Sequence, residues 1–225
     1  MPFVSKESFE KLNSQDWAAA ELQNPINENE PFLRGSLFRS LFNAVNNNVK
    51  KGYTSIKVFE VGNVFKKENR DFVQSLHLSG IIYYHDMLHG WSQKKFTYDF
   101  FSLKAEISKL LQTIGIQNAE FHTVRSLSPF NENALDIFLG KQKIGIIGEI
   151  DLSITEKSIK KTTFGFEIYP EKISLSFKNT KIKKTSKFPL STRDINIVID
   201  KSFVFQDVEK VMSQGAIKNL TSFHL

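Results

Sequence analysis

Three histidines, His77, His85 and His89, fall within one short stretch and raise metal ligation as the first chemistry to consider. Imidazoles four residues apart share a metal when a helix places both on one face. This stretch is not helical by pattern and Gly90 interrupts it, so the three read as strand and loop histidines. Glu149 with Asp151, and Asp194 with Asp207, have the composition of acid–base pairs. No histidine or serine nucleophile context surrounds them, and Glu149 reads as the end of a strand with Asp151 capping the helix that follows. Ser36 and Ser191 lack any partner base visible in sequence, so neither reads as a nucleophile. The absence of cysteine excludes thiol nucleophiles, disulfides and Cys-based zinc sites together. What remains is charge. Lys178, Lys181, Lys183, Lys184 and Lys187 run into Arg193, a pattern that attracts phosphates without reading bases, or else a solvated linker.

Amphipathic helices and antiparallel strands must position these groups. Residues 5 to 12 read as a short helix capped by Ser5, with Phe9 and Leu12 facing inward. From Ser36 to Lys50 the residues Leu37, Phe38, Leu41, Phe42, Val45 and Val49 recur every three to four positions, and Gly52 closes the segment. Ile56 to Phe65 reads as a strand, Lys66 to Asp71 as a charged hairpin loop, and Ser75 to Tyr84 as the returning strand. A second amphipathic helix spans 99 to 114 and ends at Gly115. Strands follow at about 119 to 125, 133 to 139 and 143 to 150, the last two joined at Gly140-Lys141. A short helix starts near Asp151, Thr163 to Ile168 makes another strand, and Pro170 opens a further short helix. This order specifies an α+β fold around an antiparallel sheet.

Lys178 to Lys187 reads as a linker, because Ile182 is nearly its sole core residue. Beyond it, Ile195, Ile197 and Ile199 alternate as a strand, Val204 to Met212 as a helix and Ile217 to Phe223 as a second strand. Such a β-α-β unit is too small to bury its own faces, so a fragment boundary inside a domain is expected.

Forty per cent of the 225 residues are hydrophobic, enough for one large core or a core plus a smaller module, and disorder is not expected. The 21 phenylalanines read as packing. Thirty basic against 24 acidic residues give a formal charge of +6, a modest excess that suits an anionic partner. No window approaches the roughly 18 to 20 apolar residues of a membrane helix, and Met1 to Val4 runs straight into charged Lys6 and Glu7. A cytoplasmic protein without membrane association is the expectation.

Several segments, taken in order, carry a family likeness. Asn24-Pro25-Ile26, then Leu33-Arg34-Gly35-Ser36-Leu37, then Val58-Phe59-Glu60-Val61-Gly62-Asn63-Val64-Phe65 follow the order of an NPIS-like turn, an LRTSLLPGLL-like helix and an FEIGRVF-like strand. Asp99 to Lys104 matches a DFFDLKG-like helix start, and Ile144 to Ile150 a VGxLGEL-like hairpin. Lys187-Phe188-Pro189 with Arg193-Asp194-Ile195 matches a KFPSVRRDL-like opening. Each is weak alone, but in the right order over nearly the whole chain they resemble the C-terminal region of the beta subunit of bacterial phenylalanine–tRNA ligase.

The resemblance implies a class II aminoacyl-tRNA synthetase-like sheet flanked by helices over residues 1–186. The start of a ferredoxin-like anticodon-binding domain follows over 187–225. It implies a domain that has lost its chemistry and pairs with the catalytic alpha subunit to help bind tRNA(Phe). The intact ligase would contain two alpha and two beta chains and would use ATP and Mg. Leu37, Phe38, Leu41 and Val45 then become candidates for the subunit interface, the alternative being packing against the domain's own sheet. Lys183, Lys184, Lys187 and Arg193 become candidates for tRNA contact. Adenylation requires arginines on the ATP phosphates. Lys66-Lys67-Glu68 places lysine where the first arginine is expected, and Phe164 to Pro170 contains none. No catalytic, cofactor or metal residue is therefore assigned. Nor are magnesium binding and proofreading, since no acidic cluster or editing domain is recognisable. The rival readings are an active adenylate-forming ligase, with Lys66 and Arg70 replacing the arginine, and a free-standing scaffold or regulator.

Overall fold

The computed structural model describes residues 2–12, 20–68, 71–84, 98–124, 128–155, 158–173, 191–200, 203, 207–208 and 211–212. Its elements are β1 (Phe3–Val4), α1 (Lys6–Leu12), β2 (Ala20–Glu21), β3 (Phe32–Leu33), α2 (Phe38–Lys50), β4 (Ser55–Glu68), β5 (Asp71–Tyr84), α3 (Phe100–Thr113), β6 (Ala119–Thr123), β7 (Phe130–Leu139), β8 (Gln142–Ile150) and β9 (Thr163–Ile168). Short 3-10 turns cover Leu152–Ile154 and Pro170–Lys172. The chain divides into two compact units, Met1–Asn179 and Thr180–Leu225.

Within the first unit, β4-β5-β9-β8-β7-β6 form a six-stranded sheet in which every neighbouring pair is antiparallel. Alternation sends successive side chains to opposite faces. Ile81 and Tyr83 accordingly join one apolar cluster with Leu37, Leu41 and Val45 of α2. Ile82 joins the other, with Leu103, Ile107 and Leu111 of α3. The sheet is thus covered on both faces.

Local chemistry explains the helix ends. Asp99 accepts from the Ser102 N–H at 2.7 Å, while Ser102 Oγ accepts from the Asp99 N–H at 3.4 Å, a reciprocal cap that starts α3. Ser5 Oγ accepts from the Ser8 N–H at 3.3 Å, as its expected capping role requires. Gly52 and Gly115 adopt φ of 87° and 93° just past α2 and α3, a left-handed region that costs a residue with Cβ about 1 kcal/mol or more.

Three expectations change. The charged stretch from Lys66 is not a loop: β4 continues to Glu68 and β5 starts at Asp71, because Lys66 and Lys67 pair across the ladder with Val73 and Phe72. Strand β7 begins at Phe130, whose ring is 2% exposed, rather than at residue 133. In the second unit, residues 191–200 form no strand, and Ile195, Ile197 and Ile199 are 65%, 53% and 49% exposed. Alternation makes a strand only where a neighbouring ladder accepts its hydrogen bonds, and no described residue pairs with this segment. Asp207, Val208, Val211 and Met212 are helical as expected, and the strand expected at 217–223 lies outside the described residues. The small sheet of order β1-β3-β2 had no sequence expectation, since two-residue strands leave no period to detect.

Candidate functional site

The surface that decides between adenylation and docking lies where β4, β5 and β9 run side by side. The ladder aligns Phe59 with Gly80 and Phe166, Glu60 with Ser79 and Glu167, and Gly62 with His77. On one face the Phe166 ring lies across β5: a Cβ built on Gly80 would stand 2.4 Å from Phe166 Cε1. Phe166 itself packs against the α3 cluster, while Phe59 and Val61 of β4, on the same face, stay 73% and 56% exposed.

The opposite face is occupied by a guanidinium. Arg34, in the segment joining β3 to α2, donates from Nη1 to Glu60 Oε1 at 2.6 Å and from Nε to the Asn63 carbonyl at 2.9 Å. Its Nη2 lies 2.5 Å from where a Cβ on Gly62 would be, so glycine is the residue that admits it. Ser40 of α2 donates to the other Glu60 oxygen. The Arg34 and Glu60 side chains are 13% and 30% exposed, so the pair is shielded but not sealed.

The polar row continues across the sheet. Glu167 Oε1 accepts from Ser79 Oγ at 3.0 Å and stands 3.0 Å from His77 Nδ1. Ser75 Oγ is 3.2 Å from His77 Nε2, and the imidazole packs on the Tyr169 ring with centroids 4.8 Å apart. Burial, together with the carboxylates of Glu167 and Asp136, holds the Tyr169 phenol far above its ordinary range. Lys143 meets Asp136 at 2.6 Å. Each carboxylate in this part of the sheet has a basic side chain beside it: Arg34, His77 or Lys143.

That arrangement does not fit a triphosphate. Lys66 on β4 is a point charge rather than a bidentate fork, and β9 runs into the 3-10 turn Pro170–Lys172 without an arginine. The one guanidinium over these strands among the described residues, that of Arg34, is committed to Glu60 and Asn63. No group of three or more His, Asp or Glu among the described residues is placed to hold a metal. A cavity of about 450 Å³ opens elsewhere, between α1 and α2, and is lined by Ser8, Lys11, Arg39, Phe42 and Ile154 among others.

The residues singled out by sequence are placed as follows. Leu37, Phe38, Leu41 and Val45 come together, but in the chain's own core, at 0%, 1%, 3% and 0% exposure. Their surface is already covered by the sheet. The outward stripe of α2 is instead Arg39, Asn43, Asn47 and Lys50, because a helix whose apolar face meets a sheet turns its polar face to solvent. Arg193 is exposed, with Nη1 bonded to the Thr192 carbonyl at 2.9 Å. Lys183, Lys184 and Lys187 lie outside the described residues, as do Arg70, His85 and His89. His77 is a core histidine.

Sequence reading missed the Arg34–Glu60 pair and the Ser79–Glu167–His77 group as units. A signal was present. Ile56, Val58, Glu60, Gly62 and Val64 share one face of β4, and a carboxylate among inward positions demands a buried partner.

A family described as the "Phenylalanyl tRNA synthetase beta chain CLM domain" matches residues 1–169. A phenylalanine–tRNA ligase beta subunit from Buchnera aphidicola subsp. Schizaphis graminum is 31% identical over 210 residues, covering 91% of this chain and 26% of the relative. That of Wigglesworthia glossinidia brevipalpis is 30% identical, covering 90% of this chain and 26% of its own length. The beta subunit of Carboxydothermus hydrogenoformans is 27% identical, with 98% and 29% coverage. The chain therefore spans little more than a quarter of these relatives. Among solved structures, the pyrrolysyl tRNA synthetase PylSc of Desulfitobacterium hafniense superposes with a TM-score of 0.55 at 13% identity, covering 76% of this chain and 57% of that one. This likeness shows a fold shared with that tRNA synthetase. A both-faced antiparallel sheet of that fold and a family match over three-quarters of its length place the chain in the phenylalanyl-tRNA synthetase beta chain family.

Proposed function

We propose that this chain is the catalytic-like but inactive part of a phenylalanine–tRNA ligase beta subunit. It pairs with the catalytic alpha subunit and helps bind tRNA(Phe) in the cytoplasm. ATP and Mg are used by the assembled ligase and not at this sheet. Two alpha and two beta chains make up the assembly. Residues 1–186 form the synthetase-like domain and 187–225 begin the ferredoxin-like anticodon-binding domain, with Lys183, Lys184, Lys187 and Arg193 on the tRNA side. The four apolar residues of α2 support the subunit surface from beneath, and its polar stripe is the part of the helix a partner can touch.

One observation carries the reading: the Arg34 guanidinium is held by Glu60 at 2.6 Å and by the Asn63 carbonyl, over the strands where a class II enzyme needs a free one for ATP. A salt-bridged face is rigid and already neutralised, which suits a scaffold. Co-expression with a tagged phenylalanine–tRNA ligase alpha subunit tests the role. Stoichiometric co-purification is expected, and an alpha subunit recovered without this chain would contradict it.

A further inference from the structure

Two lysine pairs far apart in sequence lie at the same end of the main sheet. Lys50 and Lys51 close α2, and Lys160 and Lys161 precede β9. Strand β4 begins at Ser55 opposite Tyr84, and β9 begins at Thr163 opposite Tyr83, so only β5 separates the two starts. The segment before β9 is fastened to α2: Ser158 Oγ donates to Asn46 Oδ1, and Ile159, 3% exposed, shares a cluster with Val45 and Val49.

All four lysines are exposed, and no acidic side chain among the described residues pairs with them. Lys11, Lys57 and Lys143, by contrast, meet Glu7, Glu106 and Asp136. The carboxyl end of a helix favours cations and accounts for Lys50 and Lys51. It does not account for Lys160 and Lys161, which belong to no helix. In the turn between α2 and β4, Tyr53 is 58% exposed, with its N–H bonded to the Asn48 carbonyl at 3.1 Å. Cations that no described carboxylate pairs attract a polyanion, and the exposed Tyr53 ring, close in sequence to Lys51, offers a stacking face to an unpaired base.

We propose that this sheet end is an RNA-binding surface: Lys50, Lys51, Lys160 and Lys161 contact phosphodiesters, and Tyr53 stacks on a single-stranded base. The proposal rests on tRNA being the partner, as in the proposed function, and adds a contact on the synthetase-like core to those near Lys183 to Lys187.

Binding of labelled tRNA(Phe) to the whole chain, followed by anisotropy over a salt series, provides the test. Replacing all four lysines by alanine is expected to weaken binding about tenfold at low salt and to flatten the log–log salt slope by roughly two to four. Tyr53→Ala is expected to weaken binding about fivefold with the slope unchanged. Binding that survives the four substitutions intact, or that vanishes only with Lys183→Ala, Lys184→Ala and Lys187→Ala, overturns the proposal. So does an effect confined to phosphatidylglycerol vesicles with tRNA binding untouched. Failure of the alpha-subunit pairing is a separate outcome: this chain would then bind tRNA through the four lysines without co-purifying with an alpha subunit.

Discussion

Arg34 shows how a single side chain can exclude one chemistry and stabilise another structure. Its charge is neutralised by Glu60 within a shielded layer, so removing either partner leaves the other partly desolvated and alone. Arg34→Ala should lower stability by about 1 to 3 kcal/mol in denaturant titration, the lower end reflecting the 30% exposure of Glu60. Arg34→Lys should recover only part of this, because an ammonium cannot serve Glu60 and the Asn63 carbonyl with a planar fork. Asp99 makes a second prediction. The Ser102 hydroxyl, then its N–H, hold the Asp99 carboxyl below its ordinary value of 3.8. A lowered folded pKa means the cap's contribution is whole above that value and is lost as pH falls through the lowered one. The stability gap between wild type and Asp99→Ala should therefore be constant near neutrality and shrink below about pH 4, and a gap independent of pH would contradict the assignment.

At the scale of elements, hydrophobic period and end signals made most of the fold legible. Strand β9 at Thr163–Ile168, the Gly140 turn and the Gly52 and Gly115 stops stand where the residue types place them. Partners are what sequence cannot supply. The period of α2 is equally good for meeting a foreign helix or the chain's own sheet, and only burial at Leu37, Phe38, Leu41 and Val45 distinguishes them. The same gap explains why Ile195 to Ile199 alternates without forming a strand, and why Glu60 looked like one more strand residue until Arg34 was placed against it. Because α2 packs inward, Leu41→Ala should cost about 2 to 5 kcal/mol in the chain by itself, measured by chemical unfolding. A substitution that leaves the lone chain's stability unchanged yet weakens alpha-subunit pairing would show that the helix faces a partner.

The whole molecule joins a synthetase fold to a row of carboxylates that each have a basic side chain within 3.0 Å. Glu60, Glu167 and Asp136 stand in register positions across one sheet face, and each meets Arg34, His77 or Lys143. Opposite them Phe166 and the α3 cluster cover β5 and β9, and Phe59 and Val61 of β4 remain exposed. With the Arg34 guanidinium held by Glu60 and the Asn63 carbonyl, this face presents no free arginine to a triphosphate among the described residues. Phenylalanine-dependent exchange of labelled pyrophosphate into ATP by the purified chain tests this most directly. The account predicts no exchange above the buffer rate, with or without Lys66→Ala. Saturable exchange that rises with phenylalanine and is abolished by Lys66→Ala would contradict it.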